Sequence, residues 1–365
     1  MKKIILLVVI VLGQALFPRL FAQHLKPYFN KAEYKTLLLI SFRTNTNKAY
    51  YSRYPAPRNY KMIYQSKVVG LDNLWQLWVN TDKTTAVVSI RGTTANPESS
   101  LANLYAAMVP AKGEIHLSKT DTFSYDLAEN PKAAVHIGWL ISTAYLSRDI
   151  LPKIDSLYKT GIKDFLLMGH SQGGAINYML TAYLYHLQQN GILPEDIRFK
   201  TYCSAAPKPG NLYFAYSYEK LTQNGWGYNV VNAADWVPEM PVSIQTLNDI
   251  NVPNPFVNAK AAIKKLKFPK NIVARHVYNQ LEKPAKNAQR KYEKYLGEMT
   301  SKFIKKKLTN FIPPTEYVHS SDYVRTGTAV VLYPGKDYYR FFAKDKKSFF
   351  FNHGLKYYLY LIDKQ

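Results

Sequence analysis

The feature that most constrains this sequence is the pentapeptide G-H-S-Q-G at residues 169–173. It follows a short apolar run, DFLLM, with the composition of a buried strand, and it precedes a stretch with apolar residues at helical spacing. A G-x-S-x-G pattern between a strand and a helix indicates a tight turn that exposes a serine hydroxyl, where larger side chains in place of the glycines would collide. The pattern therefore predicts that Ser171 is an activated nucleophile.

Other apolar runs rich in β-branched or aromatic residues predict the rest of the sheet. They lie at residues 83–91, 199–204, 228–231 and 329–333, and helical segments separate them. Strands that alternate with helices favour an α/β fold in which helices cover both faces of a mostly parallel sheet. The run YYRFF at residues 338–342 follows a P-G-K-D turn, so we predict that it forms a late hairpin with the run before it.

A serine nucleophile needs a base and an orienting acid, which in this strand–turn–helix context follow in the order serine, acid, histidine. His353 lies in a polar loop between the last predicted strand and the last helix, and we predict that it is the base; His319 is the alternative. Asp235 directly follows a predicted strand and is the preferred acid, although it could also cap a turn. Asp249 and Asp322 are alternative acids in loops without such positioning.

Five sequence blocks, taken together, resemble the fungal-lipase-like class 3 lipases, a branch of the α/β-hydrolases. The blocks are VVSIRGT at 87–93, VHIGW at 135–139, GHSQGG at 169–174, APKPGN with FA at 206–215, and VNAADWVPEMP at 231–241. The resemblance implies that Ser171, Asp235 and His353 form the catalytic triad. It further implies an oxyanion hole made by the backbone N–H of Gln172 and by Thr93, through its backbone N–H and its hydroxyl.

The same resemblance implies a substrate and a reaction. The expected enzyme is a carboxylic-ester hydrolase that acts on lipid esters, either as a triacylglycerol lipase or as a phospholipase A, without metal or cofactor. Where the family has a W-x-x-D stretch, this chain has SLANL at residues 100–104. The competing interpretation is a catalytically silent α/β-hydrolase that binds anionic lipid or an envelope surface.

The first residues predict an exported protein, either periplasmic or secreted. Lys2 and Lys3 precede an apolar run at residues 4–17, and a small residue, Ala22, follows at the expected cleavage point. We therefore predict a signal peptide at residues 1–22 and one catalytic domain at residues 23–365; an uncleaved N-terminal anchor is the alternative. The single cysteine, Cys203, excludes an intramolecular disulfide, so the fold must be stabilised by packing.

The positive charge of the chain is concentrated in one segment. The formal net charge is +23, and residues 256–307 alone carry 15 Lys and Arg against three acidic residues. No nucleic-acid-binding motif accompanies this charge, so we do not expect a nucleic-acid partner. We predict a helical insertion at about residues 242–313, divided by Pro284. It would either contact an anionic membrane peripherally or form a solvated face that keeps the protein soluble.

Overall fold

The structure is a computed structural model that describes residues 24–45 and 47–365. The predicted signal peptide lies outside the described residues. The strands are β1 (Tyr60–Gln65), β2 (Trp75–Asn80), β3 (Thr85–Ile90), β4 (Met108–Pro110), β5 (Lys112–His116), β6 (Thr122–Asp126), β7 (Ala134–His136), β8 (Asp164–His170), β9 (Arg198–Ser204), β10 (Gly227–Asn232) and β11 (Thr328–Leu332). The α-helices are α1 (Lys31–Phe42), α2 (Lys48–Tyr51), α3 (Pro97–Leu104), α4 (Ile137–Lys159), α5 (Gln172–Gln189), α6 (Leu212–Leu221), α7 (Ala259–Lys265), α8 (Lys270–Glu293), α9 (Thr300–Lys307), α10 (Lys336–Phe341) and α11 (Leu355–Lys364).

Seven strands form the central sheet in the order β1-β2-β3-β8-β9-β10-β11. The five strands from β3 to β11 are parallel to one another, whereas β1 and β2 are antiparallel to their neighbours. Two short antiparallel pairs, β4 with β7 and β5 with β6, lie outside this sheet. The chain is thus an α/β protein with a mostly parallel sheet, as the sequence predicted.

Helices cover both faces of the sheet because the strand residues alternate between two apolar clusters. Val88 and Leu167 pack with residues of α4 and α5 on one face, while Val87 and Leu166 pack with residues of α1 and α11 on the other. Both faces of the central strands are therefore buried, which explains why β3 and β8 are continuous apolar runs instead of alternating ones. This arrangement holds the ends of β8 and β10 beside the start of α11.

The predicted late hairpin is wrong in its second half. Residues 329–333 do contribute a strand, β11, but the following aromatic run forms the helix α10. Tyr338 and Phe342 are four residues apart and both are buried, and their rings pack against Tyr357 of α11 at centroid distances of 6.2 and 4.8 Å. A helix brings residues four apart to one face, and this packing explains why the run is helical.

The basic segment between Asp235 and His353 is largely helical, comprising α7, α8, a π-helical turn at Lys294–Met299 and α9. Pro284 does not divide α8, contrary to the prediction. A proline leaves the carbonyl of the residue four positions earlier, Gln280, without its helical partner, and because Gln280 is exposed, water can take that bond. None of the helices in residues 24–45 and 47–365 combines the length and apolar content of a membrane span.

Candidate active site

Ser171 lies on a strained turn between β8 and α5. Its backbone angles are φ 59° and ψ −132°, a conformation that residues with a side chain seldom adopt. The turn is so tight that a Cβ on Gly169 would lie 2.1 Å from the carbonyl oxygen of Gly173, and a Cβ on Gly173 would lie 2.3 Å from that of Ile90. Glycine is therefore required at both positions, as the G-x-S-x-G pattern predicts.

The structure brings the three predicted triad residues together. His353 Nε2 lies 2.8 Å from Ser171 Oγ, and His353 Nδ1 lies 2.9 Å from Asp235 Oδ2. Because a carboxylate only accepts hydrogen bonds, the ring proton sits on Nδ1, and Nε2 accepts from the serine hydroxyl. His353 and Asp235 are buried and Ser171 is half-buried, so the arrangement can move the serine proton onto an imidazole oriented by an anion.

Asp235 receives two further hydrogen bonds that fix its carboxylate. The backbone N–H of Val237 donates to Oδ1 at 3.0 Å, and the hydroxyl of Tyr358 donates to Oδ2 at 2.7 Å. Burial raises the pKa of Tyr358 well above its ordinary value, so the phenol stays a neutral donor. Together with His353 Nδ1, these donors orient both oxygens of the buried carboxylate.

A chain of hydrogen bonds with a defined donor direction ends at the backbone oxygen of His353. His170 Nε2 lies 2.8 Å from the backbone oxygen of His353, so this nitrogen must carry the ring proton. Burial, followed by the proximity of His353, lowers the pKa of His170 well below its ordinary value, and a neutral ring leaves Nδ1 as an acceptor. The hydroxyl of Ser204 donates to Nδ1 at 3.0 Å, and it accepts from Tyr34 at 2.6 Å.

The two residues predicted for the oxyanion hole lie beside Ser171. Gln172 is the first residue of α5, so its N–H has no partner within the helix. Thr93 lines the same cleft, and its Oγ1 lies 3.0 Å from Asn103 Nδ2. Asn103 Oδ1 accepts from Trp139 Nε1 at 3.0 Å and from the Gln172 side chain at 2.9 Å. These bonds link both predicted oxyanion residues through a single amide.

The residues considered as an alternative base and as alternative acids lie outside the cluster formed by Ser171, His353 and Asp235. His319 is exposed, and its Nδ1 is bound to Glu293 Oε2 at 3.0 Å. Asp249 is bound to Ser320 and Thr246, and Asp322 is bound to Ser243 and Gln245.

Sequence reasoning did not find three residues that support the site, namely Tyr358, His170 and Asn103. His170 lies inside the G-H-S-Q-G pattern itself, and Tyr358 lies in the aromatic helix just after His353. The signal was therefore present for these two residues. Asn103 lies in the SLANL stretch that departs from the family pattern.

Two cavities meet at Ser171 and His353. The larger has a volume of about 610 Å³, and its walls include Leu104, Trp139 and Val237, together with Tyr292 and Leu296 from the basic segment. This cavity is mostly apolar.

The smaller cavity has a volume of about 410 Å³, and its walls include Ser41, Thr44, Tyr50 and Thr94. Arg91 also lines it but is paired with Asp72 at 3.2 Å. A scissile bond at Ser171 therefore lies between an apolar space and a more polar one. In the part of the chain that the structure describes, no group of three or more His, Cys, Asp or Glu is arranged to hold a metal ion.

This fold and this hydrogen-bonded serine, histidine and aspartate define a serine hydrolase of the α/β-hydrolase class. The sequence pattern of the family described as lipase (class 3) matches residues 87–244, so this part of the chain is similar to that family. It is a carboxylic-ester hydrolase whose substrates are lipid esters. The matched residues contain Ser171 and Asp235, whereas His353 lies beyond them. A search of curated proteins gave no sequence match.

Solved lipase structures resemble the chain distantly. A fungal lipase in complex with an inhibitor has 20% sequence identity and a TM-score of 0.43, covering 58% of this chain and 73% of its own. The Rhizomucor miehei lipase–propeptide complex has 20% identity and a TM-score of 0.42, covering 60% and 66%. A lipase from Yarrowia lipolytica has 20% identity and a TM-score of 0.43, covering 58% and 73%. The similarity to class 3 lipases rests on residues 87–244 and not on these structures.

Proposed function

We propose that the protein hydrolyses lipid esters with Ser171 as nucleophile, His353 as general base and Asp235 as orienting acid. The observation that carries the proposal is the continuous pair of hydrogen bonds from Ser171 Oγ through His353 to Asp235. The backbone N–H groups of Gln172 and Thr93, with the Thr93 hydroxyl, stabilise the oxyanion. Each such donor is worth about 2.7–4 kcal/mol of transition-state energy.

The reaction follows from this geometry. As Ser171 Oγ attacks the ester carbonyl carbon, its proton passes to His353 Nε2, and the imidazolium is stabilised by Asp235. The imidazolium then protonates the alcohol oxygen as the C–O bond breaks, which leaves an acyl-enzyme and releases the alcohol. Water, deprotonated by His353, attacks the acyl carbon. The bond from that carbon to Ser171 Oγ then breaks, His353 returns the proton to Ser171 Oγ, and the fatty acid is released. No metal or cofactor takes part in these steps.

The two cavities supply an orientation for the substrate. The acyl chain lies in the apolar cavity, because its walls carry side chains such as Leu104 and Trp139. The alcohol portion lies in the smaller cavity, whose walls are less apolar and include Ser41, Thr44 and Thr94. Both the triacylglycerol-lipase and the phospholipase A assignments fit the triad. The second cavity favours an ester with a polar alcohol portion, such as a phospholipid or a partial glyceride, over a triacylglycerol.

The proposed function includes export of the enzyme from the cytoplasm. Lys2, Lys3 and the apolar run at residues 4–17 support a signal peptide that directs the enzyme to the periplasm or the medium. Amino-terminal sequencing of the protein recovered from those fractions tests this point. A mature chain that still begins at residue 1 would contradict cleavage and favour the N-terminal anchor.

A fluorophosphonate probe tests the triad, because it reacts only with an activated serine. We expect the parent protein to be labelled, and we expect Ser171→Ala and His353→Ala to lose labelling and to lower ester turnover by several orders of magnitude. His319→Ala is the matched control and should keep full activity. A folded parent that is not labelled would favour the catalytically silent alternative, in which the protein only binds lipid.

A panel of esters tests the orientation. With the acyl chain held constant, kcat/KM should be higher for monoacylglycerol and phospholipid than for triacylglycerol, and all three rates should vanish in Ser171→Ala. A preference for triacylglycerol would contradict the assignment of the smaller cavity to the alcohol, while leaving the triad unaffected.

A further inference from the structure

Over residues 270–282, helix α8 exposes large apolar side chains and buries a polar one. Ile272, Val273, Val277 and Leu281 are all more than half exposed, and Leu281 reaches 75%. The buried residue of this stretch, by contrast, is Glu282, which is held by Lys286 and Lys260. An amphipathic helix on a protein normally turns its apolar stripe inward. Here the stripe faces away from the protein.

The stripe extends into the segment before α8. Phe268 is 79% exposed and Leu266 is 42% exposed, so the apolar surface continues from α8 towards α7. Soluble monomers rarely leave contiguous apolar patches without a binding role. We call this surface the outer face of α7–α8, defined by Leu266, Phe268, Ile272, Val273, Val277 and Leu281.

Basic residues surround this outer face. Residues 256–281 carry six Lys and Arg and no acidic residue. Lys260 is paired with Glu282, whereas Lys264, Lys265, Lys267 and Lys270 make no ion pair within the described residues. A strip of apolar side chains flanked by unpaired cations has the composition of a helix that lies in the plane of an anionic lipid surface.

The other end of α8 belongs to the active site. Tyr292 and Leu296 line the apolar cavity next to Ser171, and the backbone oxygen of Leu296 accepts from the N–H of Ala107 at 3.2 Å, which fixes this end to the protein body. At 1.5 Å per residue, Leu281 lies about 17 Å along the helix from Tyr292. The helix that carries the exposed stripe therefore also forms a wall of the cavity.

We propose that the outer face of α7–α8 docks the enzyme on an anionic phospholipid bilayer and so brings the apolar cavity next to its lipid substrate. The bilayer is the occupant that satisfies both properties of the face, since its headgroups match the cations and its acyl region takes up the apolar stripe. A nucleic acid would use the cations and leave the stripe exposed, and a second copy of this chain would bring cations against cations. The proposal rests on the proposed function only in saying that docking brings the cavity to its substrate; docking itself does not require catalysis.

Sedimentation with vesicles tests the docking, using the Ser171→Ala protein so that no lipid is consumed. We expect binding to phosphatidylcholine vesicles that contain phosphatidylglycerol, weak binding to phosphatidylcholine alone, and a steep loss of binding as salt rises. Two variants separate the contributions of charge and apolar surface. Lys264→Gln with Lys265→Gln and Lys267→Gln should weaken binding about a hundredfold, at about fivefold per charge. Val273→Ser with Val277→Ser and Leu281→Ser should weaken binding at least tenfold at both low and high salt.

The matched control removes the same charge elsewhere. Lys31→Gln, Lys61→Gln and Lys67→Gln alter three exposed lysines on α1, on β1 and just after β1, and this variant should bind like the parent. Equal binding by all variants, or equal binding to neutral and anionic vesicles, would overturn the proposal. The proposal would also be overturned if the protein formed a dimer that the triple variant Val273→Ser, Val277→Ser and Leu281→Ser abolishes. Tighter binding to duplex DNA than to the anionic vesicles would overturn it as well.

Turnover of a short, soluble ester by the same variants with Ser171 intact separates the two proposals. We expect unchanged soluble-ester turnover and unchanged melting temperature in the docking variants, since the substituted side chains are exposed and line neither cavity. Vesicle binding without ester turnover by the parent would refute the proposed function and leave the docking intact. Ester turnover without vesicle binding would refute the docking and leave the proposed function intact.

Discussion

Asp235 Oδ2 accepts a hydrogen bond from the hydroxyl of Tyr358 at 2.7 Å as well as one from His353 Nδ1 at 2.9 Å. Tyr358 lies in α11, the helix that begins just after His353, and its ring is fully buried. One oxygen of the acid is thus bound by the histidine and by the helix that follows the histidine. This contact couples the position of the acid to that of the base.

Replacing Tyr358 with phenylalanine removes this donor and keeps the ring. A hydrogen bond to a charged group contributes about 1.5–3 kcal/mol, of which only the part gained in the transition state affects kcat. We expect kcat for a soluble ester to fall about tenfold and KM to change little, because Tyr358 lines neither cavity. Tyr360→Phe, on the same helix, is the control and should be neutral. If both variants lose activity alike, Tyr358 acts through packing alone.

The chain from Tyr34 through Ser204 and His170 to the backbone oxygen of His353 makes a second prediction. Ser204→Ala leaves both the Tyr34 hydroxyl and His170 Nδ1 buried without a partner, whereas Tyr34→Phe leaves Ser204 still able to donate to His170. A buried group left unpaired costs about 1–3 kcal/mol. Urea unfolding should therefore show a larger loss of stability for Ser204→Ala than for Tyr34→Phe. The reverse order would contradict the assigned direction of the chain.

The parts of the fold that were predictable are those determined by local pattern. β3 and β8 are continuous apolar runs, and the glycines beside Ser171 follow from the tightness of the turn, so both could be inferred without tertiary contacts. Residues 338–342 could not, because an aromatic run is compatible with a strand or a helix. The packing of Tyr338 and Phe342 on α11 makes it a helix.

A site residue could be predicted where its type suits catalysis and its position in the fold is one that the site requires. His353, a histidine after the last strand, meets both conditions. Tyr358, His170 and Asn103 act by contacts between residues far apart in sequence, and no local sequence pattern indicates such contacts. The outward-facing stripe of α8 was equally hidden. The sequence indicated a basic helix with apolar residues at helical spacing, but only the burial of Glu282, paired with Lys260 and Lys286, shows which side is exposed.

Two buried histidines predict how stability depends on pH. Burial lowers the pKa of His136 from 6.5 to about 3, and burial also lowers the pKa of His170. Below about pH 6.5 the unfolded chain takes up protons that the folded chain does not, so the stability present above that pH is lost as the pH falls towards 3. Each histidine contributes a slope of at most about 1.4 kcal/mol per pH unit.

Urea unfolding between neutral and acidic pH measures this slope. His136→Gln removes one titrating group and should make the loss of stability on acidification shallower, whatever its effect at neutral pH. Tyr323→Phe is the control, because the ring of Tyr323 packs near that of His136 at a centroid distance of 5.9 Å and neither tyrosine nor phenylalanine carries a charge between neutral and acidic pH; it should keep the parent slope. An unchanged slope in His136→Gln would mean that His136 is protonated in the folded protein.

Asn103 determines which way the Thr93 hydroxyl points. The indole N–H of Trp139 only donates, so the Asn103 oxygen faces Trp139 and the Asn103 amino group faces Thr93 Oγ1. Thr93 therefore accepts from Asn103, and its hydroxyl hydrogen remains free to donate into the cleft where an oxyanion would form. An aspartate at position 103 would keep the acceptor for Trp139 but would draw the Thr93 hydroxyl hydrogen towards its own carboxylate.

Thr93→Val and Asn103→Asp should therefore impair catalysis by the same route. We expect Thr93→Val to lower kcat by up to about 10²–10³, the range for loss of one oxyanion donor, and Asn103→Asp to lower it in the same direction. Both changes withdraw the same hydroxyl hydrogen, so their losses should be less than additive. Asn103→Asp also places a negative charge near the oxyanion, and this part of its loss should remain in the double variant. A double-mutant cycle on kcat for a soluble ester measures the coupling. Thr85→Val is the control, since Thr85 lies at the far end of β3 and lines neither cavity. Additive losses would show that Asn103 acts independently of Thr93, and an unchanged rate in Thr93→Val would leave the backbone N–H groups as the donors.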